Sequence, residues 1–196
     1  MYDFTTVKRN LEERDFAVSC FATAAEAADY LAQKLDGKTV GHGGSLTLKE
    51  MGLLERLGTH NQVLWHWTGG TSEAAAGAQV YLSSVNGAAE TGELINIDGT
   101  GNRVAATIFG HEEVYFLVGR NKLAPDYDAA LWRTRNIASP KNAQRLGRKT
   151  PCAAKGDRCY DCRSPERICR ALVVLWDRPN GVKRAEVVLV DEPLGF

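Results

Sequence analysis

Residues 113–119, Glu-Val-Tyr-Phe-Leu-Val-Gly, are apolar at almost every position. A strand with one wet face alternates apolar and polar side chains, so a run without that alternation needs cover on both faces. The chain therefore builds at least one strand in the middle of a sheet that carries other layers on either side. That requirement favours an α/β architecture over a sandwich with a solvated face.

The segments before this run fit the same scheme. Residues 5–13 read as a polar helix and residues 16–21 as a short strand, with Cys20 as core filler. Thr23 and Glu26 form a capping-box pattern that opens a helix closed near Gly37. A brief strand over 38–41 runs into a glycine loop, after which Leu46, Leu48, Met51, Leu54 and Leu57 give one helix its apolar stripe as far as Gly58. Residues 62–67 read as a strand with Trp65 and Trp67 on one face and His66 on the other, residues 71–77 as a short helix or turn, and residues 79–85 as a buried strand. Strand 113–119 ends in Arg120-Asn121-Lys122, which puts two cations at its exit. A helix is expected over 126–138, and Ser139-Pro140 predicts a restarted one as far as Gly147. Strands alternating with helices up to Lys122 imply a parallel-rich sheet flanked by helices. Asn180-Gly181 between two apolar runs predicts a C-terminal antiparallel hairpin at a sheet edge or in a small appended layer. The 196 residues are most simply one domain with a Cys-rich insertion at 150–170.

Two glycine-bearing stretches are candidates for chemistry. In the first, residues 40–47, Gly41, Gly43, Gly44, Ser45 and Thr47 lie between a strand and a helix. The stretch lacks both the Walker lysine and the G-x-G-x-x-G spacing. It reads either as an anion-binding loop or as a tight turn capped by Ser45. The second, residues 89–103, places Glu90 and Glu93 just past a strand, and Asn102 and Arg103 at the start of a helix over 103–109. In an open α/β sheet, ligands bind beyond the strand ends. Glu90 is the candidate acid or base. The amides of Gly101, Asn102 and Arg103 form a candidate anion site, with solvated acids and turn glycines as the alternative.

Four of the five cysteines, Cys152, Cys159, Cys162 and Cys169, crowd into eighteen residues. Thiolates this dense in a reducing compartment match tetrahedral zinc or an iron–sulfur cluster, although the spacing fits neither a zinc ribbon nor a ferredoxin run. Either metal would be a cofactor or a simple fastener for the loop. The 24 basic and 24 acidic residues cancel without a lysine or arginine block, which argues against nucleic acid. No apolar run is long enough to cross a membrane, and the N-terminal residues lack a signal pattern, so a cytoplasmic protein is expected.

The segments VGHGGSLTLKEMGLLE, VYLSSVNGAAETGELINIDGTGNRVAATIFG, VYFLVGRNKLAPDYDAALWRTRNIASPKNAQRLG and TPCAAKGDRCYDCRSPERICR, with the ending VLVDEPLGF, together resemble the LUD-domain family of bacterial lactate-utilisation proteins. The likeness is to its C-type, short Cys-bearing form and covers nearly everything from Val40 onward. It implies a fold similar to the group of ribose-5-phosphate isomerase, glucosamine-phosphate deaminase and CoA-transferases. By position it implies that Gly41, Gly43, Gly44, Ser45 and Thr47 form a binding loop and that Glu90 is the catalytic acid. Residues 89–92 read Ala-Glu-Thr-Gly where CoA-transferases carry Ser-Glu-Asn-Gly. Three functions follow as expectations: an accessory or electron-transfer component of L-lactate oxidation with the cysteines around a cluster, a metabolite-binding enzyme or sensor using Ser45, Asn102, Arg103 and Glu90, or a zinc-fastened scaffold. The expected partners are other lactate-utilisation subunits, a small anionic metabolite or a second copy of the chain.

Overall fold

The computed structural model describes residues 3–65 and 71–196, so the expected placements of His66 and Trp67 lie outside the described residues. The chain begins with α1 (Thr5–Glu12), β1 (Ala17–Phe21) and α2 (Ala24–Lys34). It continues through β2 (Thr39–His42), α3 (Leu46–Glu50), α4 (Leu53–Leu57), β3 (Gln62–Trp65), α5 (Ser72–Ala76) and β4 (Val80–Ser84). A short antiparallel pair, β5 (Gly87–Ala89) and β6 (Leu94–Asp98), precedes α6 (Asn102–Ile108) and β7 (Glu113–Gly119). After a 3₁₀ turn at Arg120–Lys122 come β8 (Leu123–Ala124), α7 (Tyr127–Arg133), a π-helical segment at Thr134–Ala138, and α8 (Ser139–Arg145). α9 (Pro151–Lys155), β9 (Ala171–Leu175) and β10 (Arg184–Val190) follow.

The main sheet has the order β1-β10-β7-β4-β2-β3, and every neighbouring pair is parallel. β7 sits near its centre, as its composition requires. Val114, Phe116 and Val118 enter one core with Val187 and Leu189 of β10, while Tyr115 and Leu117 enter the other with Val188 and Val190. α2, α3 and α4 cover the second face with Leu31, Leu48, Leu53 and Leu57. α1 covers part of the first face, and beside it lies a second sheet of order β8-β5-β6-β9. In β6, Leu94 packs toward the main sheet and Ile95 packs with Ala130 of α7, so the small sheet is itself an inner layer. The α/β class expected from the sequence is found, with this small sheet as an addition.

Thr23 accepts from the Glu26 amide at 3.2 Å and Glu26 accepts from the Thr23 amide at 3.1 Å, the reciprocal cap that the sequence predicts. Other expectations need correction. The single helix over 46–57 is two, because Gly52 adopts a left-handed backbone (φ 59°) that ends one helix and starts the next. Ser139 does not restart a helix: α7, the π-helical segment and α8 are continuous, and the Ser139 hydroxyl donates to the Thr134 carbonyl at 2.9 Å. A π-turn re-satisfies the backbone where Pro140 has no N–H to give. Cys20 is exposed, because β1 is an edge strand. No hairpin forms at Asn180-Gly181. β10 is apolar on both faces and takes the covered position between β1 and β7, whereas half-buried β9 pairs antiparallel with β6 in the other sheet.

Candidate functional site

The carboxyl ends of β2, β4 and β7 point the same way, toward a cleft of about 460 Å³ between the two sheets. Gly44, Ser45 and Thr47 border it after β2, and Ser84 and Asn86 after β4. Lys122 borders it after β7, while Asp98, Asn102 and Arg103 come from the end of β6 and the start of α6. The α8 side contributes Ser139, Asn142, Arg145 and Arg148. The cleft therefore collects Gly44, Ser45, Thr47, Asn102 and Arg103 from two stretches far apart in sequence, in the crevice where parallel strands end.

The two remaining glycines of the loop serve packing. A Cβ on Gly41 would lie 2.3 Å from the Ala75 carbonyl oxygen, so Gly41 lets α5 press against β2, and one on Gly43 would meet the Tyr81 hydroxyl at 2.9 Å. Ser45 caps α3, its hydroxyl accepting from the Leu48 amide at 3.4 Å, so the capped-turn reading holds for it while it also lines the cleft.

Of the three amides expected to form an anion site, that of Gly101 already has an anion. The Asp98 carboxylate accepts from Thr100 and Gly101 at 3.1 Å each and from Val104 at 3.2 Å. Arg103 is likewise committed. Its guanidinium donates to the Ser84 and Ile97 carbonyls at 3.2 and 2.8 Å and to the Asn96 and Asn86 side chains at 2.5 and 3.2 Å, tying β4 to β6. Its positive charge faces the cleft, but most of its hydrogens belong to the protein.

Glu90 is not in the cleft. The chain leaves the cleft at Asn86 and runs away along β5, so Glu90 sits at the turn end of the β5–β6 pair, opposite Asp98. There its carbonyl accepts from Asn10 at 2.6 Å and its amide donates to Ala124 at 2.8 Å. Glu93 is ion-paired with Arg14 at 2.9 Å. Both tie the small sheet to its neighbours, and Glu90 stands apart from the residues that line the cleft.

The residue that sequence reasoning left off the site is Lys122. It is 3% exposed, and its ammonium donates to Thr47 at 2.8 Å and to Ser84 at 2.7 Å. Those hydroxyls pass their own protons to backbone carbonyls, Ser84 to Leu117 at 2.6 Å and Thr47 to Leu194 at 3.4 Å. Among the described residues no carboxylate pairs with Lys122. Burial pushes its pKa down to about 7, the Arg133 and Arg103 guanidiniums push the same way, and Glu50 opposes them. The available signal was a cation directly after a strand buried on both faces, where the next side chain must fall at the sheet's functional end.

The four cysteines do not form a ligand set. Among the described residues no group of three or more His, Cys, Asp or Glu side chains is placed to hold a metal ion. Cys152 contacts Thr150 at 3.3 Å in the first turn of α9. Cys159 accepts from Arg135 at 3.9 Å and Cys169 from Arg167 at 3.4 Å, both beside a small pocket of about 230 Å³. The Cys162 carbonyl accepts from Arg167 at 2.9 Å. Guanidiniums stand beside the sulfurs of Cys159 and Cys169, where a cation would need to approach, so these two as placed do not fit zinc or a cluster. No helix among the described residues is long and apolar enough to cross a membrane.

The cleft's lining carries four cationic side chains, Arg103, Lys122, Arg145 and Arg148, against the single side-chain carboxylate of Asp98. Its size suits a metabolite-scale ligand. Comparison with solved structures finds a DUF162 family protein from Deinococcus radiodurans with a TM-score of 0.56 and 14% identity, covering 97% of this chain and 99% of that one. A ribose 5-phosphate isomerase from Plasmodium falciparum reaches a TM-score of 0.34 and 12% identity over 52% of each chain, too slight to bear on the fold. No curated protein matches the sequence. The LUD domain family matches residues 5–190, all but the first four and last six positions, and the chain belongs to that family.

Proposed function

We propose that the protein binds a small carboxylated or phosphorylated metabolite in the cleft between its two sheets, as a component of lactate utilisation. The observation that carries this reading is Lys122: a buried cation that no carboxylate pairs with among the described residues, under the charge of two arginines, in a cleft lined by four cationic side chains and one acidic side chain. A buried charge is tolerated when something opposite meets it, and among the described residues no carboxylate pairs with this one, Glu50 acting on it only through its charge. A ligand carboxylate or phosphate would. Membership of the LUD domain family makes a small carboxylate the first ligand to test.

Thermal unfolding with L-lactate, pyruvate, inorganic phosphate and ribose 5-phosphate tests it. At least one should raise the midpoint, by the equivalent of about 2.7 kcal/mol at a hundredfold excess over Kd. Lys122→Met should fold and lose that response. An unshifted midpoint with all four, or an undiminished shift in Lys122→Met, would overturn the reading.

A further inference from the structure

We infer that Lys122 is a covalent subsite, whose amine forms a Schiff base with a small anion bearing an aldehyde or ketone carbonyl. The inference rests on the anion reading of the cleft and narrows its ligand class. Three observations support it. Lys122 is almost fully buried yet lines the cleft, so its nitrogen is shielded from bulk water and still reachable by a ligand. Two of its hydrogen-bonding positions are taken by Thr47 and Ser84, at 2.8 and 2.7 Å. Both hydroxyls accept, since their protons go to Leu194 and Leu117. In the neutral amine this arrangement uses the two hydrogens and leaves the lone pair as the position not committed to the protein.

The surrounding charge favours that neutral form. Arg103 from α6 and Arg133 from α7 repel a proton on Lys122, while Glu50 at the end of α3 attracts one and is engaged by the Gly195 amide at 2.6 Å. A desolvated lysine beside other cations is the arrangement that activates an amine as a nucleophile. Arg103, with Arg145 and Arg148 on the α8 side, lines the cleft and suits the anionic end of the ligand.

The step balances without a further reactant. The lysine nitrogen attacks the carbonyl carbon, and one amine proton moves to the oxygen to give a carbinolamine. The second amine proton joins the departing hydroxyl as water, and the C=N bond forms. Protonation of that nitrogen from solvent gives an iminium within reach of the ligand's own negative charge. An oxo acid and a sugar phosphate both meet this description.

The test is borohydride reduction of the full-length protein incubated with pyruvate or with ribose 5-phosphate, followed by intact mass and peptide mapping, with calorimetric binding of each probe in parallel. The expected result is a single reduced adduct on Lys122 with one probe, about tenfold or more above any other lysine, as a depressed amine pKa requires. Which probe labels distinguishes an oxo acid from a sugar phosphate. L-lactate, which has no aldehyde or ketone carbonyl, should compete without labelling. Lys122→Arg keeps the charge and the donors and should lose the adduct, and Lys122→Met should lose it too. Calorimetric binding of both probes without an adduct, or an adduct spread evenly over surface lysines, would overturn the inference and leave the anion reading standing. Absence of binding by either probe and by L-lactate would overturn both.

Discussion

A lysine ammonium moved from water to the floor of this cleft exchanges its hydration for two hydroxyls, a poor substitute for a charged partner. Lys122 therefore lowers the stability of the ligand-free fold, and the cost depends on pH. Its pKa falls from 10.5 in the unfolded chain to about 7 in the fold, so between those values the unfolded chain holds a proton that the folded one has released. Stability must then rise with pH across that window, and the penalty is fully present below it. Lys122→Met removes the group and replaces it with a side chain of similar length. In urea unfolding the variant should be more stable than the natural protein at about pH 6, by a few kcal/mol, and the two should converge toward about pH 10. Parallel profiles across that range would show that Lys122 stays charged. This residue and Glu90 also show what single positions disclose in a sequence. Both follow strands, and the acid drew attention because the resemblance assigns it a role. A side chain's distance from a cleft depends on which way the next strand departs, and β5 carries Glu90 off while the 3₁₀ turn holds Lys122 in place.

At the scale of elements, the strands that read clearly are those whose neighbours leave them no choice. β7 and β10 are apolar on both faces and each lies between two parallel partners. β10 carries one buried exception, Glu186, which is 1% exposed at a position where an apolar residue would be expected. The edge position of β1 explains it. Tyr30 and Lys34 of α2 reach across that edge to Glu186 at 2.7 and 2.6 Å, with Ser19 of β1 at 2.7 Å and Arg184 at 3.0 Å. Burial raises the Glu186 pKa, but the hydrogen bonds from Lys34, Tyr30, Ser19 and Arg184 prevail and hold it below the usual carboxylate range. A lowered carboxylate stabilises the fold above its unfolded value, and that stabilisation is lost as pH falls through the folded value. Glu186→Gln should cost roughly 3 kcal/mol at neutral pH, because it leaves Lys34 partly buried beside a neutral partner. The difference from the natural protein should shrink in acid, and chemical denaturation at neutral and acid pH would show it. A constant difference would mean that the lost contacts, not the charge, carry the effect. The Asn180-Gly181 signal misled for the same reason that β10 was legible: a local turn preference is worth less than burying five apolar positions in mid-sheet.

The cleft exists because the molecule has two sheets, and the second was not legible. β5 and β6 lie in a stretch rich in glycine and acids, and three- and five-residue strands are too short to set up a period that stands out from a loop. At the cleft, Arg103 is the polar joint between sheets that also share an apolar core. It bonds the Ser84 carbonyl at the end of β4, the Ile97 carbonyl and Asn96 side chain in β6, and the Asn86 side chain that itself accepts from the Ile97 amide at 2.8 Å. Removing it would leave several part-buried acceptors without their common donor and the Asp98 carboxylate without its ion pair at 3.8 Å. Each orphaned acceptor costs about 1–3 kcal/mol, less whatever water can enter the cleft to replace the guanidinium. Arg103→Met should therefore destabilise the protein by roughly 2–4 kcal/mol. The loss should not be uniform, since the main sheet keeps both its cores while the small sheet loses its tie at the cleft. Hydrogen exchange should accelerate at the amides of β6 and β9 well before those of β7 and β10. Anion binding should weaken as well, because the wall opposite Lys122 would no longer be held. Equal acceleration in both sheets would mean that the two unfold as one unit and that Arg103 is only one contact among many.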